Sequence, residues 1–267
     1  MPIVQQARKE LHLKIVYYGP GLGGKTTNLE HIHKKSRPER RGRLISLTTE
    51  TERTLFFDLL PVELGRFRGF TVRLHLCTVP GQIAHDDTRR LVLRNVDGVV
   101  FVVDSQRGRI EANVDSIRNL EVNLVRQGDD PTTLPLVVQY NKRDLPDALG
   151  IDELRDVLLV PPGVCEIEAA AVRGVGVFET LKEITKACLA LVGDPREAPE
   201  GRSPSILPGR RASMFPGGRP AGAPRDDAGP AMISVDESAN VPKPPRVPLF
   251  TAPEDDADSD DGDADEP

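Results

Sequence analysis

The 267-residue chain has no tryptophan, and aromatic residues make up 4% of it. Valine, leucine and isoleucine supply the apolar surface instead, so the lack of aromatics does not argue against a core. Three cysteines, Cys77, Cys165 and Cys188, lie far apart and form no CxxC. That spacing fits neither a disulfide framework nor a zinc site, and it reads as reduced, structural cysteine. No apolar run approaches the ~18 residues of a membrane span. The N-terminal MPIVQQARKELHLKIV lacks the apolar stretch and small-residue cleavage site of a signal peptide. Pro2 at the second position excludes N-myristoylation, and no CaaX box closes the sequence. A cytoplasmic protein without a direct membrane anchor is expected. There is also no large basic excess, which disfavours nucleic acid as a partner.

Charge and proline divide the chain. Residues 1–192 hold 27 basic and 25 acidic side chains, whereas residues 193–267 hold 8 and 16, together with 14 of the 24 prolines. The formal charge of −6 is thus +2 from the first part and −8 from the second. Past residue 192 no apolar periodicity survives, and such a segment cannot bury enough surface to offset its ordering entropy. A domain over 1–192 and a disordered, acid-ended tail over 193–267 are expected. Within the tail, Arg210-Arg211-Ala212-Ser213 resembles a kinase site and Pro242-Lys243-Pro244-Pro245-Arg246 a polyproline ligand, both patterns common by chance in such segments.

The body alternates strand-like and helix-like stretches. Strands are expected at 11–18, 43–48, 70–79, 97–104, 134–140 and near 164–169, with helices at 25–36, 109–127, 151–159 and 177–192. The run DGVVFVVD at 97–104 is continuously apolar and closed by an acid, as in a central strand covered on both faces. This order predicts an α/β fold, a mostly parallel sheet with helices on both faces.

Gly19-Pro20-Gly21-Leu22-Gly23-Gly24-Lys25-Thr26 fills every fixed position of GxxxxGK[ST], between a buried strand and a helix. Such glycines let backbone N–H groups turn in around phosphate oxygens, and the helix N-terminus adds partial positive charge. Leu22 and Thr27 fall within the same cradle. Lys25 is expected to reach the β- and γ-phosphates and the Thr26 hydroxyl to ligate Mg²⁺. The motif alone does not separate GTPases from ATPases or kinases.

Asn141-Lys142-Arg143-Asp144 follows the strand ending at Tyr140, at the C-terminal edge of the sheet where α/β proteins bind ligands. The Asp144 carboxylate can accept from guanine N1–H and N2–H. Adenine lacks both donors and would leave the carboxylate unpaired, at ~1–3 kcal/mol or more. Asn141 is expected to tie this loop to the phosphate loop, and the Lys142 stem to cover a face of the base. GTP and GDP are the expected ligands. A P-loop ATPase or kinase is disfavoured by this motif.

The segments KIVYYGPGLGGKTTNLEHI, GRLISLTTETERTLFFDLLP, TVPGQ, GVVFVVDSQ, QYNKRDLP and GVGVFETL resemble the small Ras-like GTPases, above all the bacterial gliding-motility and polarity GTPases of the MglA type. The likeness runs from about residue 11 to 192; the tail has no counterpart in the short members. It implies a five-to-six-stranded Ras-like G domain with two nucleotide-sensing switches. It also implies a role in polarity or motility, GTP-state-specific effectors, and activation of slow hydrolysis by a homodimeric Roadblock-fold protein of the MglB type.

The resemblance assigns further residues. Ras-like proteins usually carry DxxG where this chain has Thr78-Val79-Pro80-Gly81-Gln82, so Thr78 replaces the Asp that holds a Mg²⁺ ligand water, as it does throughout that family. Gly81 would give its N–H to the γ-phosphate and Gln82 would orient the attacking water. Arg53, by itself an ordinary charged residue in a polar stretch, matches an arginine finger supplied by the same chain. Thr54 matches the switch threonine near Mg²⁺. Ala170 and Ala171 fall in the last guanine-contacting loop, where a backbone N–H, that of Ala171, would meet the guanine carbonyl. Phe56, Phe57, Leu59 and Leu60 read as core or as a switch-dependent partner surface. An alternative remains open: a GTP-dependent binding scaffold with negligible turnover, in which Thr78 marks lost catalysis.

Overall fold

The structure, a computed structural model, describes residues 2–47, 57–80 and 86–192. Arg53, Thr54, Phe56, Gly81 and Gln82 lie outside the described residues, as does the whole of 193–267.

Eight strands and five α-helices follow in the order β1 (Ile3–Gln5), β2 (Glu10–Tyr18), α1 (Lys25–Lys35), β3 (Ile45–Leu47), β4 (Phe57–Phe67), β5 (Phe70–Thr78), α2 (Asp86–Leu93), β6 (Gly98–Asp104), α3 (Ile110–Gln127), β7 (Leu136–Asn141), α4 (Ile151–Leu158), β8 (Cys165–Glu168) and α5 (Val177–Leu191). They form one sheet of order β3-β4-β5-β2-β6-β7-β8, with β1 antiparallel to β2. The central pairs β5-β2, β2-β6, β6-β7 and β7-β8 are parallel, while β3-β4 and β4-β5 are antiparallel. Among the described residues this is two or three strands more than the resemblance implied.

Position in the sheet explains the strand sequences. All of β6 is buried, as are residues 11–18 of β2, because helices cover both faces of these central strands. On one face Leu29 and Ile32 of α1 and Val177, Leu181 and Ile184 of α5 pack on Leu13, Ile15 and Val100. On the other, Val92 and Leu93 of α2, Leu120 of α3 and Leu154 of α4 pack on Val16, Phe101 and Val138. A buried polar knot binds α1, β7 and α5: the Gln139 amide donates to Asn28 (3.0 Å) and Thr180 (2.8 Å), and Asn28 donates to Gly24 O (2.9 Å) and back to Gln139 (2.9 Å). Gly98 lets α5 close in, since a Cβ there would lie 2.5 Å from Cys188 Sγ.

Strand β4 runs through a sequence that discourages a strand, with Pro61 and Gly65 inside it. Pro61 is tolerated because β3 opposes only Phe57–Leu59; beyond it the Pro61 carbonyl accepts from Gly42 N–H at 2.8 Å. The pairing with β5 shifts register between Glu63 and Arg66, around Gly65. No helix among the described residues is long and apolar enough to cross a membrane.

Candidate functional site

The loop between β2 and α1 is shaped by backbone that only glycine fits. Gly19 has φ 140°, and a Cβ on it would lie 2.3 Å from Val102 O of β6. Gly24, at the N-terminus of α1, has φ 99°, and its Cβ would lie 2.2 Å from Asn141 Nδ2. Leu22, at φ 63°, is the loop's exposed tip. Lys25 turns back beneath the loop and donates to Gly19 O (2.9 Å) and Pro20 O (2.6 Å). Burial, and then the Arg89 guanidinium, push this amine down to about 7, with Asp58 opposing and Arg109 adding to the fall. A buried cation beside two others suits a polyanion, whose charge favours the protonated amine.

Asn141, the last residue of β7, draws three loops together. Its Nδ2 donates to Gly23 O at 2.8 Å, and its Oδ1 accepts from Ala171 N–H at 2.9 Å. The N–H assigned by resemblance to the guanine carbonyl is therefore given to Asn141 in this structure, and that of Ala170 bonds Val175 O. Arg143 N–H donates to Ala169 O, fastening the same two loops again. Lys142 has φ 65°, and its amine reaches Asp104 Oδ2 (2.7 Å) and Gln106 Oε1 (3.0 Å). The Asp144 carboxylate lies 3.5 Å from Arg173 Nε.

Two residues here were missed at the sequence level. Asp104, at the end of β6, is fully buried and takes both Lys142 and the guanidinium of Arg109, whose Nε lies 3.4 Å away. Arg109 in turn donates to Gly21 O at 2.6 Å. Phosphate loop and base loop are thus linked twice, through Asn141 and through Arg109-Asp104-Lys142. The available signal was the acid closing the apolar run 97–104, read only as the end of a strand.

On the other side of Lys25 the charge sits where the motif did not place it. Thr78, at the end of β5, donates to Asp58 Oδ2 (3.0 Å) and accepts from Asp58 N–H (2.9 Å). Asp58, on β4, also accepts from Thr26 (2.7 Å) and Ser46 (2.7 Å). One buried carboxylate therefore gathers hydroxyls from α1, β3 and β5. An Asp at 78 would set a second carboxylate against the first. Thr26 and Asp58 are hard oxygen donors, with Thr78 and Ser46 behind them, and this donor set fits Mg²⁺.

The chain just after β5 is anchored from below. Arg89 of α2 is fully buried, donates to Pro80 O (2.9 Å) and Asn119 Oδ1 (2.7 Å), and lies 5.2 Å from the centre of the Tyr18 ring. Asn119 and Asn123 of α3 each donate to Asp86 at 2.8 Å. Pro80 is held directly before Gly81 and Gln82, which fall outside the described residues.

Comparison with known proteins covers the same body. The model of the ADP-ribosylation factor family matches residues 2–188. The mutual gliding-motility protein MglA of Myxococcus xanthus is 54% identical over 189 residues, 71% of this chain and 96% of that protein. ADP-ribosylation factor-like protein 2 of Drosophila melanogaster is 30% identical over 152 residues, 57% of this chain and 71% of that protein. ADP-ribosylation factor-like protein 4D of Mus musculus is 28% identical over 200 residues, 71% of this chain and 90% of that protein.

Proposed function

The chain belongs to the ADP-ribosylation factor family of small GTPases, and from that premise we propose that it is a cytoplasmic GTP switch of the MglA type whose slow hydrolysis is stimulated by a homodimeric Roadblock-fold protein. The relative named for mutual gliding motility supports a role in motility or polarity, exerted through effectors that recognise the GTP state. The observation that carries the reading is the Asn141 clasp, which brings the phosphate loop, the base loop and the Ala169–Ala171 stretch to one place at the C-terminal edge of the sheet.

In this reading the backbone of Gly19, Gly21, Leu22, Gly23 and Gly24 cradles the phosphates, and Thr27 lies on the same turn of α1. Lys25 neutralises the β- and γ-phosphates. Asp144 reads guanine, while Asn141, Lys142, Ala170 and Ala171 shape the base pocket. Thr26, with Thr54 of the first switch, would hold Mg²⁺, which adds positive charge at the phosphates when bound. Gly81 offers its N–H to the γ-phosphate. Phosphoryl transfer spreads negative charge over the γ-phosphate oxygens and the leaving oxygen, so catalysis consists largely of positioning and charge stabilisation. A guanidinium arriving late stabilises the transition state selectively, and such fingers contribute ~10³–10⁵ in rate. Arg53 is our candidate, with Gln82 orienting the water. The activator then needs only to set the switches.

Single-turnover phosphate release with saturating activator tests this. Arg53→Ala and Gln82→Leu should each abolish stimulation while GTP affinity stays within a few-fold, and the double variant should be scarcely worse than either. Near-normal stimulated turnover in Arg53→Ala would remove that arginine from the mechanism. Absence of turnover in the parent chain with activator would favour the scaffold reading.

A further inference from the structure

The net basic excess of the body comes from one stretch. Residues 34–43 (KKSRPERRGR) hold Lys34, Lys35, Arg37, Arg40, Arg41 and Arg43 against the single acid Glu39. Without them residues 1–192 carry 21 basic and 24 acidic side chains, a net of −3, where the whole body has 27 and 25, a net of +2.

The fold turns this stretch into a surface. Helix α1 ends at Lys35, a 3-10 turn spans Pro38–Arg40, and the chain then follows the outer side of β4, with Arg41 bridged to Val62 and Gly42 N–H bonded to Pro61 O. Lys34, Lys35, Arg37, Arg40 and Arg43 are exposed, and among the described residues none of these five forms an ion pair with a carboxylate. Favourable interaction with the C-terminal end of a helix accounts for Lys34 and Lys35 in the last turn of α1, but not for the arginines beyond it.

The chain carries the matching counter-charge. Residues 254–266 (EDDADSDDGDADE) hold nine acids and no base. Between Val192 and Glu254 lie 61 residues. A Pro/Gly-rich segment of that length has a reach of about 40 Å, against a radius of gyration of about 16 Å for a body of this size. Every face of the body is within range, at an effective concentration on the order of mM.

We infer that residues 254–266 dock in cis on the basic surface of residues 34–43. The attraction is between solvated charges, so it is felt within about 8 Å at physiological salt and fades above it. Strands β3 and β4, beside which this surface lies, are joined in sequence by residues 48–56, the segment of the first switch. The docked segment keeps outside polyanions off the body beside β3 and β4. An anionic membrane or a nucleic acid would meet the same charges, but only against the tethered competitor.

The full chain can be tested with a zero-length carbodiimide, which couples carboxylates to lysine amines they touch. Peptide mapping of the monomeric product at low salt should place the links from 254–266 on Lys34 and Lys35, several-fold over Lys182 and Lys186 of α5. These links should vanish near 1 M salt, where the Debye length is ~3 Å. They should also weaken in Arg37→Glu/Arg40→Glu/Arg43→Glu, which keeps both lysines; its retained GDP binding would show that it is folded. Links spread evenly over Lys9, Lys34, Lys35, Lys182 and Lys186, or indifferent to salt and to charge reversal, would overturn the inference. So would the absence of links in a chain that binds phosphatidylglycerol vesicles through the same arginines, which would give the surface to a membrane.

Discussion

The two sides of the proposed nucleotide site are built by different means. On the phosphate and base side, backbone geometry dominates: Gly19 and Gly24 adopt conformations that no side chain fits, and Asn141 fastens the loops by bonds to main-chain groups. On the side proposed for the metal, Thr26, Ser46, Asp58 and Thr78 come from four separate elements and meet mainly through side chains, with one main-chain bond from Asp58 N–H to Thr78. Where the main chain makes the site, residue types at fixed spacing are dictated by sterics. Where side chains make it, a carboxylate can stand on β4 as readily as on β5, provided it arrives at the same place. Under the proposed function, Asp58 would supply the charge that DxxG places on its Asp.

The comparison can be broken first at Gly24. Gly24→Ala puts a Cβ against Asn141 Nδ2 and strains a positive φ. Loss of the clasp and the added strain together cost ~3 kcal/mol, so GDP affinity should fall ~10²-fold. Titration with labelled GDP measures this, and a change under about threefold would show that the cradle is not sterically fixed. Thr78→Asp probes the other side. It sets two carboxylates near 3.0 Å and removes the hydroxyl that Asp58 accepts from. The metal-free chain should lose ~1–3 kcal/mol of stability, with millimolar Mg²⁺ restoring part of the melting temperature. An unchanged melting temperature in chelator would mean that Asp58 swings freely away. The smallest effect belongs to Arg109→Ala. Removing the bond to Gly21 O and the partner of Asp104 should weaken nucleotide retention by ~1 kcal/mol, seen as roughly fivefold faster GDP release in stopped flow. No acceleration would leave Asn141 as the sole effective link.

Legibility in the sequence follows the same division. The parallel central strands were readable because burial on both faces writes continuous apolar runs such as 97–104. The GxxxxGKT and NKRD segments were readable because glycine conformations and base-edge chemistry restrict the residues allowed. Strand β4 was not, since Pro61 and Gly65 signal a break, and only the end of β3 and the register shift near Glu63 make them acceptable. Helix α2 was not, since polar Thr88 and Arg89 share its buried face with Val92 and Leu93 and blur the apolar period. Asp58, Arg89, Asp104 and Arg109 act through partners about 20 or more residues distant in several of their bonds. No local pattern announces such contacts.

The central claim is that this site reads guanine, through the Asp144 carboxylate. Competition for a labelled guanine nucleotide by GTP, ATP and xanthosine triphosphate, on the parent chain and on Asp144→Asn, tests it most directly. The parent should prefer GTP to ATP by at least ~30-fold, as two carboxylate acceptor sites left unpaired at ~1–3 kcal/mol each require. Asp144→Asn should lose GTP and gain xanthosine triphosphate, because its amide presents a donor to the xanthine carbonyl. A parent that binds ATP as well as GTP, or a variant that holds GTP as tightly as the parent, would contradict the account.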